Sequence, residues 1–181
     1  MLAVGATRAE AEVYFDVRAL LTQHFQRSER VAFVRVVPSA AERAAIEQRT
    51  GRRLARASYN VFVARTASRI DGYAIVDEEI GQHEPIRFAV FFDANGQVTR
   101  HEIVEYREAY GGEVRHDRFR RQFVGRGVGS TFRLGDDIDS VSGATLSARS
   151  MCAGVQRAVM LVDIARRQTP SAASASRTAS R

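Results

Sequence analysis

Ile86-Arg87-Phe88-Ala89-Val90-Phe91-Phe92-Asp93-Ala94-Asn95-Gly96-Gln97-Val98-Thr99-Arg100-His101-Glu102-Ile103-Val104-Glu105-Tyr106 is the stretch that decides the fold. It begins with an apolar, β-favouring run from Ile86 to Phe92. Asp93-Ala94-Asn95-Gly96 interrupts that run, and Asn-Gly readily supplies the positive φ of a tight turn. Gln97 to Tyr106 then returns as a strand, with Val98, His101, Ile103 and Glu105 in imperfect alternation. Strands joined by so short a turn pair antiparallel.

Upstream, Tyr59 to Ala64 and Ile70 to Val76 read as two more strands, and Val31 to Val37 as another that Pro38 ends. Between Tyr14 and Phe25 the residues Val17, Leu20, Leu21 and Phe25 recur at helical spacing. Ser39 followed by Glu42 is a capping box, so a helix begins there and ends near Gly51. Downstream, Gly111-Gly112 breaks the chain, and Arg115 to Phe123 reads as a short helix pairing Phe119 with Phe123. Gly125, Gly127 and Gly129 mark a loop. From Leu146 to Arg166 one helix face carries Ala148, Met151, Cys152, Val155, Ala158, Val159 and Val162. Arg166 and Arg167 lie at its C-terminal end, where cations offset the helix dipole. The expected class is α+β, an antiparallel sheet with helices packed against it.

Composition narrows the function classes. The chain has 181 residues, 45% of them hydrophobic, enough for one domain with a modest core. No apolar stretch approaches membrane-spanning length. The net charge is +6 and every basic side chain is arginine. No basic block is interleaved with aromatic residues, so nucleic acid is not an expected partner. The lone Cys152 excludes an internal disulfide and a CxxC metal site, and its helical position makes it a small buried hydrophobe. His24, His83, His101 and His116 fit no zinc spacing, so no metal site is expected. Gly125-Arg126-Gly127-Val128-Gly129 follows no convincing βαβ strand and is weak as a nucleotide loop.

The segment Asp139-Ser140-Val141-Ser142-Gly143-Ala144-Thr145-Leu146-Ser147 carries the chemistry. It places small hydroxyl residues and a glycine in a tight turn that feeds the last helix. Unpaired N–H groups and the positive end of the helix dipole favour a phosphate there. Gly143 lets the backbone approach that phosphate, and the Thr145 hydroxyl sits beside it. The plainer alternative is that Ser142 or Thr145 only caps the helix. A capping turn is also a platform for a phosphate, so the two readings are compatible.

Asp139, Ser142, Gly143, Ala144, Thr145 and Ser147 resemble the flavinylation motif of the FMN-binding domain family. That family includes the G subunit of Rnf-type electron-transport complexes and the C subunit of the sodium-pumping NADH:quinone reductase. Gly72-Tyr73-Ala74, the strand pair around Ala94-Asn95-Gly96, Glu108 before Gly111-Gly112, and Gln122-Phe123-Val124-Gly125 follow the family's order. The resemblance spans roughly Gly72 to Arg166. Where the family has Glu-Thr-Pro-Gly, this chain has Glu108-Ala109-Tyr110-Gly111, so the loop shape differs.

The resemblance implies a flavoprotein electron carrier, with FMN joined through its phosphate to Thr145 by a flavin transferase. The implied cofactor-binding set is Thr145, Ser142, Gly143, Ala144, Leu146, Ser147, Asp139 and Glu108, with no catalytic residue of its own. Asp139 is implied in recognition by the transferase or in metal-assisted chemistry there, the alternative being a plain turn-forming residue. Glu108 would accept from a ring or ribitol donor, with Glu105 as competitor. Tyr106 and Tyr110 are candidates to stack on the ring. Arg126 either reaches a phosphate or faces solvent. A non-covalent FMN-binding module and a basic interaction protein with a degenerate motif are the competing classes. Implied partners are the transferase and a membrane-associated redox chain, and the implied location is periplasmic. Ala9-Glu10-Ala11 resembles a signal-peptidase site but lacks a preceding apolar core. The divisions are 1–13, an N-terminal segment read as a signal-peptide remnant; 14–71, a helical and strand part of the same domain; 72–168, the FMN-binding domain; and 169–181, a tail too poor in bulky apolar residues to pack.

Overall fold

In the computed structural model, residues 12–13 and 15–169 are described. Of the expected signal remnant 1–13, residues 1–11 lie outside them, as does the tail beyond Thr169, while Glu12–Val13 form a strand paired with Glu105 and Tyr106. The chain runs β1 (Glu12–Val13), α1 (Val17–His24), β2 (Arg30–Val36), α2 (Ala40–Thr50), β3 (Tyr59–Thr66), β4 (Arg69–Ile80), β5 (Pro85–Asp93) and β6 (Val98–Tyr106). Short 3-10 turns at Gly112–Arg115 and Arg121–Phe123 flank α3 (Asp117–Arg120), and α4 spans Thr145–Gln168. Six strands form one antiparallel sheet in the order β1-β6-β5-β4-β3-β2. The fold is α+β.

The deciding hairpin forms as its sequence dictates. Asp93 Oδ1 accepts from the N–H groups of Asn95 and Gln97, both at 2.9 Å, and Gly96 adopts φ +81°. An aspartate opening a turn and bonding its own backbone two residues on is the local device that fixes the register. The α2 capping box is complete: the Glu42 N–H donates to Ser39 Oγ at 3.3 Å, and the Ser39 N–H donates to Glu42 Oε2 at 2.9 Å. Gly51 closes that helix in the left-handed region at φ +65°.

α4 lies across one face of the sheet and is buried along most of its length. Met151, Val155, Val159 and Val162 pack with Tyr73, Ile75, Phe88, Val90 and Phe92 in the main core. Each such side chain contributes roughly 1.5–3 kcal/mol. α1 covers part of the opposite face, where Leu20 and Phe25 meet Ala64, Ala74, Ala89, Phe91 and Val104.

Two elements differ from expectation. β4 continues past Val76 to Ile80 through Asp77, Glu78 and Glu79. Asp77 and Glu79 are buried, Glu78 is exposed, and Arg157 of α4 crosses above them, donating to Asp77 Oδ2 at 2.8 Å, to Glu79 and to the Glu78 carbonyl at 2.8 Å, while Arg56 also pairs with Asp77. The expected helix over Arg115 to Phe123 is replaced by a run of single turns from Gly112 to Phe123. The Phe119 and Phe123 rings still meet edge to face, 5.3 Å apart.

Candidate functional site

α4 begins at Thr145 without a side-chain cap. The N-cap position falls on Ala144, at φ −126° and ψ 24°, and no side chain accepts from the first turn. Neither Ser142 nor Thr145 therefore serves as the cap that the plainer reading required. Gly143 holds φ +80°, a conformation that suits glycine, and turns the chain into the helix. Ser142, Gly143, Thr145 and Leu146 are exposed, whereas Ala144 is buried. The motif thus presents a hydroxyl and uncapped N–H groups at the positive end of a 24-residue helix.

The turn stands between two clefts. One, of about 540 Å³, is lined by Thr145, Ser140, Arg149 and Cys152 together with Arg49 and Arg133. The other, of about 510 Å³, is lined by Gly143, Tyr106, Glu108, Tyr110, Gly111 and Glu113. FMN has a dianionic phosphate, a polar ribityl chain and a flat ring. A basic cleft, an uncapped helix start and a tyrosine-lined cleft within one turn of each other suit those three parts.

Ser147 points into the protein and is 3% exposed. Its Oγ lies 3.0 Å from the Tyr106 hydroxyl, which donates to the Tyr110 carbonyl at 2.6 Å. Burial lifts the Tyr106 pKa above the usual tyrosine value, and the Glu108 and Glu113 carboxylates push the same way, so the phenol stays a donor. This chain of bonds ties α4 to the end of β6 and to the loop before Gly112. The Ser147 hydroxyl is a positioning group, while its backbone belongs to the helix's first turn.

Glu108 lines the second cleft, and its Oε1 accepts from the N–H groups of His83 at 2.6 Å and Glu84 at 3.0 Å. It closes the turn between β4 and β5 as well as facing the cleft. Its competitor, Glu105, is held by Arg107 at 2.7 Å and lines a groove elsewhere on the sheet. Tyr110 is 83% exposed and free to be covered. Tyr106 is buried, so Tyr110 offers the open ring face. Asp139 is exposed, and its N–H donates to Gln122 Oε1 at 2.6 Å.

Arg126 takes neither expected role. It is half-buried, donates to the Gln122 carbonyl at 2.6 Å and holds Asp137 at 3.2 Å. Sequence reading passed over Asp137, which organises the loop before the motif. Its carboxylate accepts N–H bonds from Thr131, Phe132 and Arg133 at 3.2, 3.0 and 2.7 Å. Burial pushes its pKa up, but the Arg133 and Phe132 N–H groups and the Arg126 charge outweigh that and hold it below the usual carboxylate value. Arg133 and Arg149 were also missed. Arg149 lies four residues after Thr145, a spacing that puts both on one helix face. Burial pushes the Cys152 thiol up to about 12, so it remains the inert apolar residue expected.

Residues 81–160 match the family model described as the FMN-binding domain. No curated protein matches the chain. The match supports an FMN-binding domain across this stretch, with FMN as its cofactor.

Proposed function

We propose that this FMN-binding domain is an electron carrier with FMN joined through its phosphate to the Thr145 hydroxyl. The observation that carries the reading is the exposed threonine at the first position of an uncapped helix, with arginines on one side and an open tyrosine on the other. In this reading Gly143, Ala144, Leu146 and Ser147 supply the backbone around the phosphate, and Ser142 borders it. Tyr110 covers the ring, and Glu108 faces its polar edge. Asp139, exposed beside the motif, is the group a transferase would recognise. Bound flavin supplies the redox chemistry, while the chain orients it and leaves an edge open to partners.

A flavin transferase performs the attachment, and electron partners lie in a membrane-associated chain. The resemblance of the motif motivates both statements, as it does a periplasmic location. Recovery of the mature protein in the cytoplasmic fraction, with its translation start mapped, would overturn the location. Failure of substrate-reduced membranes to reduce the attached flavin would remove the membrane chain.

The decisive experiment is intact mass under denaturing conditions after coexpression with a flavin transferase. The expected gain is one FMN less one water, mapped to the Thr145 peptide and abolished by Thr145→Ala. An unmodified mass beside a control protein that is flavinylated removes the covalent reading. Flavin that binds but is lost on denaturation would make this a non-covalent module, and a colourless protein a basic interaction protein.

A further inference from the structure

We infer that Arg133 and Arg149 form a clamp that fixes the flavin phosphate on the α2 side of Thr145, leaving the ring to the Tyr110 side. The inference rests on the reading that Thr145 carries the phosphate.

Three arginines line the cleft beside Thr145, but they are not equivalent. The Arg49 guanidinium is committed to the protein, donating to the Val128 and Ser130 carbonyls at 2.9 Å each. It fixes one wall of the cleft. Arg133 and Arg149 are both exposed, and neither guanidinium has a hydrogen bond or ion pair among the described residues. Asp137, whose N–H donors include that of Arg133, is already engaged by Arg126 and three backbone groups. Two guanidinium groups therefore face a shared cleft with no acid neutralising them.

Arg149 sits one helical turn beyond Thr145, where Cβ atoms lie about 5–6 Å apart. Its long side chain can turn back along the helix to an oxygen held at Thr145. Arg133 approaches from the loop across the cleft. Guanidinium groups meet phosphate oxygens through paired N–H donors, so two of them fix an orientation as well as a charge. The two clefts flank one turn, so a phosphate drawn toward the arginines sends the rest of the molecule over Gly143 toward Tyr110.

The test uses full-length protein coexpressed with a flavin transferase, as wild type, Arg133→Gln, Arg149→Gln, the double variant and Arg149→Lys. The arginines are exposed, and far-UV circular dichroism checks that each variant is folded. Two quantities are read: the phosphorus-31 shift of the attached phosphate, and the Tm gain of the flavinylated over the unmodified protein at low and high salt. A clamp predicts a displaced resonance and loss of most of the Tm gain in the double variant. High salt should reproduce that loss in the wild type, and lysine should restore part of it. A flavinylated double variant with the wild-type shift and Tm gain overturns the clamp and leaves the flavin reading standing. A wild type that takes no flavin overturns both.

Discussion

A Cβ on Gly111 would stand 2.5 Å from the Ser147 hydroxyl oxygen and 3.0 Å from that of Tyr106. The loop after β6 therefore rests directly against the first turn of α4. Gly111 also holds φ +83°. Gly111→Ala must resolve a clash and a strained backbone together, and separates the loop from the helix that bears Thr145. Strain of this kind costs about 1–3 kcal/mol. Urea unfolding should show a lower midpoint with an unchanged m-value. A wild-type midpoint would mean that the contact yields freely.

Arg157 is the buried cation between α4 and β4, 5% exposed. Burial works against its charge, but Asp77 and Glu79 outweigh that and raise its pKa. Arg157→Leu leaves Glu79 buried without its cation, and Asp77 held by Arg56 alone. Breaking one side of a buried pair costs about 3–5 kcal/mol. The triple variant Arg157→Leu, Asp77→Leu, Glu79→Leu should recover much of the loss, since the charges then go together. Chemical denaturation of the two variants decides the matter, and a triple variant no more stable than the single would refute the coupling.

These residues show where sequence reading reached its limit. The Asn95-Gly96 turn, the Ser39–Glu42 box and the apolar face of α4 each follow a local rule, so their sequence states them directly. The end of β4 does not. Asp77 and Glu79 look like solvated residues until Arg157, some eighty positions away, is brought above them. Glu108 enters the cofactor set through the resemblance, and its further bonds to the His83 and Glu84 N–H groups could not be foreseen, because backbone groups carry no side-chain signal. Ser147 shared a motif with Thr145, yet its place on the helix turns it inward to Tyr106. Arg149 was missed although its four-residue spacing from Thr145 could have found it, whereas Arg133 and Asp137 needed the loop's shape.

Asp137 holds that loop, and its removal should be felt at Thr145 without touching the motif. Asp137→Asn keeps one acceptor and loses the charge facing Arg126, at about 1.5–3 kcal/mol for charged hydrogen bonds. Flavinylation should fall more steeply with temperature than in the wild type. The carboxylate's folded pKa is depressed, so its stabilisation is complete above its unfolded value of 3.8 and is lost as pH falls through the folded value. An Asn variant with wild-type stability at neutral pH and a wild-type temperature profile would exclude this role.

His101 should make the protein sensitive to mild acid. It is 2% exposed, with both ring nitrogens lacking a hydrogen-bond partner, and it lies edge-on to Phe123 at 4.9 Å. Burial, with the charge of Arg120, lowers its pKa from 6.5 to about 3. The folded ring is therefore neutral where the unfolded one takes up a proton. Below pH 6.5 the unfolded state binds more protons, so stability falls by up to ~1.4 kcal/mol per pH unit until the folded value near 3 is reached. His24, lowered to about 4 by burial and by Arg100, adds to the same slope over part of the range. His101→Phe removes two unpaired polar atoms and keeps a ring. It should flatten the dependence between pH 6 and pH 4, leaving the share due to His24 and the carboxylates. Urea midpoints at half-unit pH steps would show this, and an unchanged slope in the variant would mean that His101 finds water or a proton in the folded protein.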